Sequence, residues 1–403
     1  MKRRDLLKTS LLTLGASSLA LSGCNKEIAQ SDELEIIPKQ TGTYEFSVPL
    51  PFNYEIIDEL SRINATLKKS KIVTLYNNIP LPLNDKFNSF IHIVRGSNPE
   101  IKSFDDFAKY AKYAMDKGFR ICYLMNSPKG FSERDFKTFE KDFYYILDYL
   151  VKLGIDEVKF SNTQVADLIN AYHPFKLSAS TNTEYHNITQ YRYLVENYPN
   201  VYKFNMAIDE NQNFKLLNSI RTLFPDRKIE VTVNDLCLKG CPARISHGSD
   251  ESFCVYKCGN IKESQDKITP FYRFTKASLI YPWNLEYYSA IGINNFKYLA
   301  QIEPRAIYKT TQPLKNYLNI VENGIENVSA DTFFNDTLFI LLNHLNGVIR
   351  LNQNTALSTI MPYLPDINYF IKNGDKCATR CGIECDYCKT CALKIQQAID
   401  LLS

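Results

Sequence analysis

Eleven cysteines occur in 403 residues, and two groups of them have spacings that suit thiolate chemistry. The first is Cys237-x3-Cys241 followed by Cys254-x3-Cys258. Four thiolates supplied as short pairs can hold an iron–sulfur cluster, because each pair straddles one face of a small cluster. The same four could hold zinc in a tetrahedron, although zinc knuckles usually space their pairs Cys-x2-Cys. Two disulfides are the third reading, and export to an oxidising compartment would favour it.

The second group, Cys377-x3-Cys381-x3-Cys385-x2-Cys388-x2-Cys391, is denser than core packing explains. It reads as a metal knuckle holding zinc or as a second cluster, for which four of the five thiols suffice. Cys122 sits inside an apolar run and reads as a core thiol. Of the five histidines (His92, His173, His186, His247 and His344), only His247 lies in the first cysteine loop, near Arg244. His247, Arg244 and Asp235 at the head of that loop are the candidates for acid–base or electrostatic work beside a cluster; an ordinary surface-loop histidine is the plainer reading of His247. No Ser/His/Asp arrangement and no His-Glu-x-x-His occurs, so serine and zincin proteolysis lack a motif.

Something must position these side chains. Strand patterns fall at Lys71–Tyr76, Arg120–Met125, Glu157–Phe160, Lys176–Ala179, Tyr202–Met206, Lys228–Val233, Ala277–Tyr281 and Asn295–Leu299. Amphipathic stretches separate them, among them Phe104–Lys117, Glu133–Leu153, Tyr191–Asn197, Phe214–Leu223, Leu285–Ile291 and Pro304–Val321. Eight strands alternating with helices predict an α/β fold, a TIM-like (βα)8 barrel, followed by a cysteine-rich C-terminal extension. The rival, an open doubly wound sheet, lacks any Gly-x-Gly-x-x-Gly after a strand. A barrel does its chemistry at the C-terminal ends of its strands, and Cys237 and Cys241 directly follow the sixth strand of this reading. Asn77, Asn78, Asn126, Ser161, Asn162, Ser180, Thr181, Asn234 and Asp235 also follow strands, where turns and helix caps need these residue types anyway.

The N-terminus reads as a targeting segment, residues 1–23, with Lys2, Arg3, Arg4 and Lys8 before a mildly apolar run. Arg3-Arg4-Asp5-Leu6-Leu7-Lys8 fits a twin-arginine pattern, and Leu21-Ser22-Gly23-Cys24 resembles a lipobox that would lipidate Cys24. An ordinary secretory signal with a chance cysteine is the alternative. A twin-arginine route exports folded proteins, so a cofactor could be inserted before export. The domain reading is a signal at 1–23, a tether at 24–45, a barrel at 46–325 and a helical cysteine-rich extension at 326–403. It places the protein outside the cytoplasm, lipid-anchored on the periplasmic or outer face of a bacterial envelope. The chain carries 47 basic and 44 acidic residues; removing residues 1–23 takes four basic and one acidic, leaving the signs in balance. No electrostatic case for a nucleic-acid partner remains. An electron donor or acceptor and a small-molecule or peptide substrate are the partners expected.

The run Asn234-Asp235-Leu236-Cys237-Leu238-x-x-Cys241-Pro242-x-Arg244-x-x-His247 resembles the cysteine signature of the U32 peptidase-like family. Gly118–Asn126, Leu153–Val158, Tyr287–Lys297 and the terminal Cys385-Asp386-Tyr387-Cys388 fit the family's layout in order, so the resemblance covers roughly residues 70 to 400. It implies a TIM-type barrel and a [4Fe–4S] cluster held by Cys237, Cys241, Cys254 and Cys258, with Arg244 and His247 lining the site. The family includes collagenase-like peptidases and oxygen-independent hydroxylases. The chain departs from it in carrying Asp235 where Glu is usual, and Tyr281-Pro282-Trp283-Asn284-Leu285 where a charged Arg-Pro-Glu-Asp-Leu-like segment is expected. Three functions are therefore in play: an iron–sulfur oxidoreductase or hydroxylase, a peptidase, and a metal-stabilised binding lipoprotein.

Overall fold

The computed structural model describes residues 34–78, 101, 103–126, 130–235, 237–241, 268–299, 307–326, 328–337, 355–381 and 383–401. Eight parallel strands close into a barrel in chain order: β1 (Tyr44–Pro49), β2 (Ser70–Asn77), β3 (Arg120–Met125), β4 (Glu157–Phe160), β5 (Lys176–Ala179), β6 (Val201–Asn205), β7 (Lys228–Thr232) and β8 (Asn295–Lys297). β8 returns to β1 through the pairs Glu45–Asn295, Phe46–Phe296 and Ser47–Lys297, which closes the ring. The TIM-like (βα)8 barrel expected from the alternation of strands and helices is therefore present.

Two strand readings change. Tyr44–Pro49 is a strand although it borders a polar stretch: its apolar residues Tyr44, Phe46 and Val48 alternate with Glu45 and Ser47 at the period of two that a half-buried strand requires. Ala277–Tyr281 is not a barrel strand. Its sheet-like contacts are one antiparallel bridge, Leu238 to Ala277, and the bond from Ile280 N–H to Val233 O at 2.8 Å. β-Rich composition there reflects burial, and the ring of eight leaves it no edge to join. The cysteine loop consequently follows the seventh strand, not the sixth.

Residues 35–403 form one compact unit. The polar stretch read as a tether up to residue 45 is docked from Lys39 onward: Lys39 N–H donates to Glu286 O at 3.2 Å, Thr41 N–H to Ser289 Oγ at 2.8 Å and Gln40 Nε2 to Lys69 O at 3.1 Å. Short polar side chains that look like a linker in sequence here satisfy the backbone beside β1.

The helices begin where the sequence supplies caps. Ser103 caps α1 (Phe104–Asp116), Ser132 and Asp135 form a capping box on α2 (Glu133–Leu153), and Asn162 caps α3 (Thr163–Tyr172). Asn187 with Gln190 and Asn213 do the same for α4 (Ile188–Asn197) and α5 (Phe214–Leu223). Each such oxygen takes an N–H left over in the first turn, worth about 1 kcal/mol. Gly154, at φ 76°, ends α2 in the left-handed conformation that a side chain resists.

α6 (Thr269–Lys276) and α7 (Leu285–Ala290) lie between β7 and β8; after β8 come α8 (Ile307–Asn323) and two C-terminal helices, α9 (Ile367–Arg380) and α10 (Tyr387–Asp400). A second hydrophobic core, including Phe271, Phe274, Phe333, Ile360 and Ile395, joins α6 to α10. Tyr281 stacks on Trp283 at 5.0 Å, and Trp283 lies 5.5 Å from Phe333. The aromatic pair that stands in the Tyr281–Leu285 segment thus packs against this core. α9 approaches the β6–α5 connection so closely at Gly374 that a Cβ there would lie 2.4 Å from Gln212 O and 2.8 Å from Asn213 Cα. Only glycine lets these two backbones meet, and that contact helps to set where Cys377 of α9 stands.

Candidate functional site

The inside of the barrel is ionic. Glu157 and Lys159 of β4, Lys203 of β6, Glu230 of β7 and Lys297 of β8 are all buried. Lys159 Nζ donates to Asn205 Oδ1 at 2.6 Å and to Glu230 Oε2 at 3.2 Å. Lys203 Nζ lies 3.0 Å from Glu157 Oε1 and 3.6 Å from Glu230 Oε1, which also accepts from Ser47 Oγ at 2.6 Å. Burial opposes the charge on Lys203, but Glu157 and Glu230 outweigh it and hold its pKa well above the usual lysine value. Burial likewise opposes ionisation of Glu230, and Lys159 and Lys203 outweigh it and keep its carboxyl far below the usual range. Desolvation makes such groups costly, so they persist only when mutually paired. Sequence reasoning passed them over, although charged residues at alternate positions of otherwise apolar strands (Glu157-Val158-Lys159, Lys203-Phe204-Asn205, Glu230-Val231-Thr232) carry the signal.

At the C-terminal ends of the strands, most of the polar residues do structural work. Asn77 Nδ2 donates to Leu50 O at 2.8 Å, Asn78 Nδ2 to Leu124 O at 3.0 Å and Ser161 Oγ to Asn126 O at 2.7 Å. Asn162 and Ser180 cap helical turns, and Thr181 starts the short turn that Ser180 caps. Asn234 clamps β7 to the end of β8, donating to Leu299 O at 2.6 Å and accepting from Leu299 N–H at 2.7 Å. Asp235 Oδ1 accepts the Cys237 N–H at 2.7 Å and so sets the start of the cysteine loop.

The loop then turns over Lys239. Gly240, at φ 70°, donates its N–H to Asp209 Oδ1 at 2.9 Å, and Cys241 N–H returns to Leu238 O at 3.2 Å. Cys237 and Cys241 are half-buried at either end of this turn. Lys239 between them is buried; its Nζ bonds Gln212 Oε1 and stands 3.8 Å over the Phe370 ring of α9. Burial pushes the Lys239 pKa down, and Cys388, Cys377, Cys381 and Asp209 pull the other way. Three of the C-terminal thiols, Cys377, Cys381 and Cys388, therefore lie near the lysine that the first cysteine loop carries. Sequence spacing separated the two groups by more than a hundred residues; the fold brings these three thiols near Lys239 of the first loop.

Three of the five C-terminal thiols sit on helices: Cys377 lies in α9, and Cys388 and Cys391 lie three residues apart in α10. Cys381 and Cys385, between the two helices, pair through a single backbone β-bridge. Cys377, Cys388 and Cys391 are buried, and all five are thiols, not cystines. Burial pushes the Cys377 thiol up to about 11 and the Cys388 thiol up to about 12, with Lys239 working against the rise in each. Tyr369 OH lies 2.9 Å from Cys385 Sγ, and Thr275 Oγ1 donates to Cys388 O at 2.7 Å. Among the described residues no three His, Cys, Asp or Glu side chains stand as a group that could hold one metal ion. Cys122 is a buried thiol, as its apolar strand implies.

A histidine given no role from sequence is the best-connected one described. His186 Nδ1 lies 3.0 Å from Glu210 Oε1, and His186 Nε2 lies 3.4 Å from Glu184 Oε2. Hydrogen bonds to Glu184 and Glu210 raise the His186 pKa to about 9. Glu210 is buried and also accepts from Asn213 Nδ2 at 2.7 Å. Cys24, Arg244, His247, Cys254 and Cys258, together with His92 and His344, lie outside the described residues. Among the described residues no helix is long and apolar enough to cross a membrane.

No family model matches the chain. It is 22% identical over 302 residues to a protein named an uncharacterized protease of Methanocaldococcus jannaschii, across 68% of this chain and 82% of that protein. Among solved structures it is similar to a U32 peptidase, with a TM-score of 0.42 and 12% identity over 68% of this chain and 97% of the other. It is also similar to N-acetylneuraminate lyase from Fusobacterium nucleatum, with a TM-score of 0.33 and 11% identity over 89% and 98% of the two chains. These structural likenesses add nothing to the barrel topology already described.

Proposed function

We propose that the chain is a U32-like iron–sulfur protein of the bacterial envelope, lipid-anchored through Cys24, that acts as an oxidoreductase or oxygen-independent hydroxylase. What supports this reading is the set of thiols near Lys239: the lysine lies between Cys237 and Cys241 on the loop after β7, and Cys377, Cys381 and Cys388 act on the same buried ammonium. That donor chemistry fits a thiophilic centre, since it offers sulfur and places one cation beside it to offset thiolate charge. Cys237 and Cys241, with Cys254 and Cys258, would hold a [4Fe–4S] cluster, and four of the C-terminal five would hold a second cluster or zinc. When bound, an iron–sulfur cluster supplies one-electron chemistry at a potential tuned by burial and by nearby donors.

The chain's own contribution is placement. Asp235 fixes the Cys237 backbone, Gly240 permits the turn that brings Cys241 round, and Lys239 anchors that turn to α9. Arg244 and His247 would complete the polar lining, and Asp235 stands at its edge. An electron donor or acceptor is the partner this chemistry requires. Anaerobically purified protein should show the visible sulfide-to-iron charge-transfer absorption, and a Cys237→Ser/Cys241→Ser variant should lose one cluster's share of it. Colourless wild-type protein from an anaerobic preparation would count against the reading.

A peptidase is the second reading, favoured by the similarity to a protein named a protease. Cleavage of a peptide library that persists at full rate in the Cys237→Ser/Cys241→Ser variant would select it.

A further inference from the structure

Lys297 differs from the other lysines inside the barrel. Lys159 and Lys203 each face a glutamate at 3.2 Å or closer. Lys297 is only 7% exposed, yet among the described residues no hydrogen bond or ion pair reaches its Nζ. Glu230 is already engaged by Ser47 and Lys159, with Lys203 beside it. What Lys297 does meet is the face of Tyr76, 4.8 Å from Nζ to the ring centroid, with Lys159 Nζ 5.5 Å from the same centroid. Tyr76 is fixed in turn by its hydroxyl, which donates to Tyr298 O at 3.0 Å.

As packing this is a poor choice. A buried ammonium without an anion is costly, and an apolar side chain of similar length would fill the space without that cost. Its position explains it better. Lys297 is the last residue of β8, at the end of the barrel where strands deliver reacting groups. We propose that Lys297 is a carbonyl-capturing amine, forming an imine with an aldehyde or ketone substrate at the barrel mouth.

In that step the unprotonated Nζ lone pair attacks the carbonyl carbon, and the carbon–oxygen bond breaks as water leaves. The proton that the ammonium first releases returns to the departing oxygen, so that it and one of the amine's two hydrogens leave in the water and the other hydrogen stays on the iminium nitrogen. The total charge is unchanged, and no oxidant or reductant is needed. The environment favours the unprotonated amine: burial and the neighbouring Lys159 lower the Lys297 pKa to about 8, while Glu230, Asp235 and Cys122 partly oppose them. Desolvation beside a second cation is a recognised way to make a lysine nucleophilic near neutral pH. The proposal requires no metal, so it stands or falls apart from the iron–sulfur reading.

The test is reductive trapping on the full wild-type chain, using propanal with sodium cyanoborohydride and peptide mapping by mass spectrometry. At pH 7 Lys297 should be alkylated about tenfold or more faster than exposed lysines, because more of its amine is unprotonated. Its labelling rate should rise with a midpoint at about 8. A Lys297→Arg variant should lose that fast site and keep the slow background. Failure of Lys297 to label, labelling no faster than the exposed lysines, or labelling only after urea unfolding would each overturn the proposal.

Discussion

Two buried regions of this molecule concentrate groups that proteins seldom bury, and they do so in different ways. In the barrel, Glu157 and Lys159 of β4, Lys203 of β6 and Glu230 of β7 bring opposite charges together from non-adjacent strands. Around Lys239, sulfur donors arrive from a loop and two C-terminal helices, held by a hydrophobic core and one glycine contact. The first arrangement is balanced by its own side chains, apart from Lys297. The second sets three C-terminal thiols, none in a disulfide, near a single lysine. A paired network serves as scaffold; thiols near one cation are where the proposed cluster chemistry would sit.

The comparison breaks most sharply at Glu230. Glu230→Ala removes a partner of both Lys159 and Lys203 and leaves those ammonium groups buried, which should cost about 3–5 kcal/mol in urea unfolding. A loss under about 1 kcal/mol would mean that water or relaxation screens the interior. In the second region, Gly374→Ala should cost about 1–3 kcal/mol, because the new methyl meets backbone atoms that cannot swing away. It should also speed the reaction of Cys377 and Cys388 with a thiol reagent while far-ultraviolet circular dichroism stays native. Unchanged thiol reactivity would show that α9 docks by other means.

A smaller effect concerns pH. His186 has a folded pKa raised to about 9 against an ordinary 6.5, so its pairing with Glu184 and Glu210 contributes stability that is complete below about 6.5 and lost as pH rises to about 9. The imidazole is partly exposed, so solvent screening keeps the contribution modest. Unfolding midpoints measured from pH 6 to 9.5 should fall less steeply in His186→Ala than in wild type. Parallel curves would remove His186 from the account.

The sequence made the barrel legible because its strands and helices alternate and its caps sit where helices begin. Glu133–Leu153 and Phe214–Leu223 were readable to the residue. Tyr44–Pro49 was hidden by polar neighbours, and Ala277–Tyr281 misled because burial selects the same β-branched and aromatic residues that strands do. The cysteine groups were legible as chemistry through their spacing. The approach of Cys377, Cys381 and Cys388 to Lys239 was not, because it depends on Gly374 and on a core assembled from α6, α10 and the residues around Phe333. The ionic interior was overlooked for a related reason: a Lys or Glu in a short strand looks like a solvated face until the ring closes around it.

Iron and acid-labile sulfide per chain, measured on anaerobically prepared full-length protein and on its Cys237→Ser/Cys241→Ser variant, test the central claim most directly. The account predicts iron and sulfide together in the wild type, with a cluster's worth of both missing from the variant. Wild-type protein that carries no sulfide, or a variant that keeps the wild-type content of both, would contradict it.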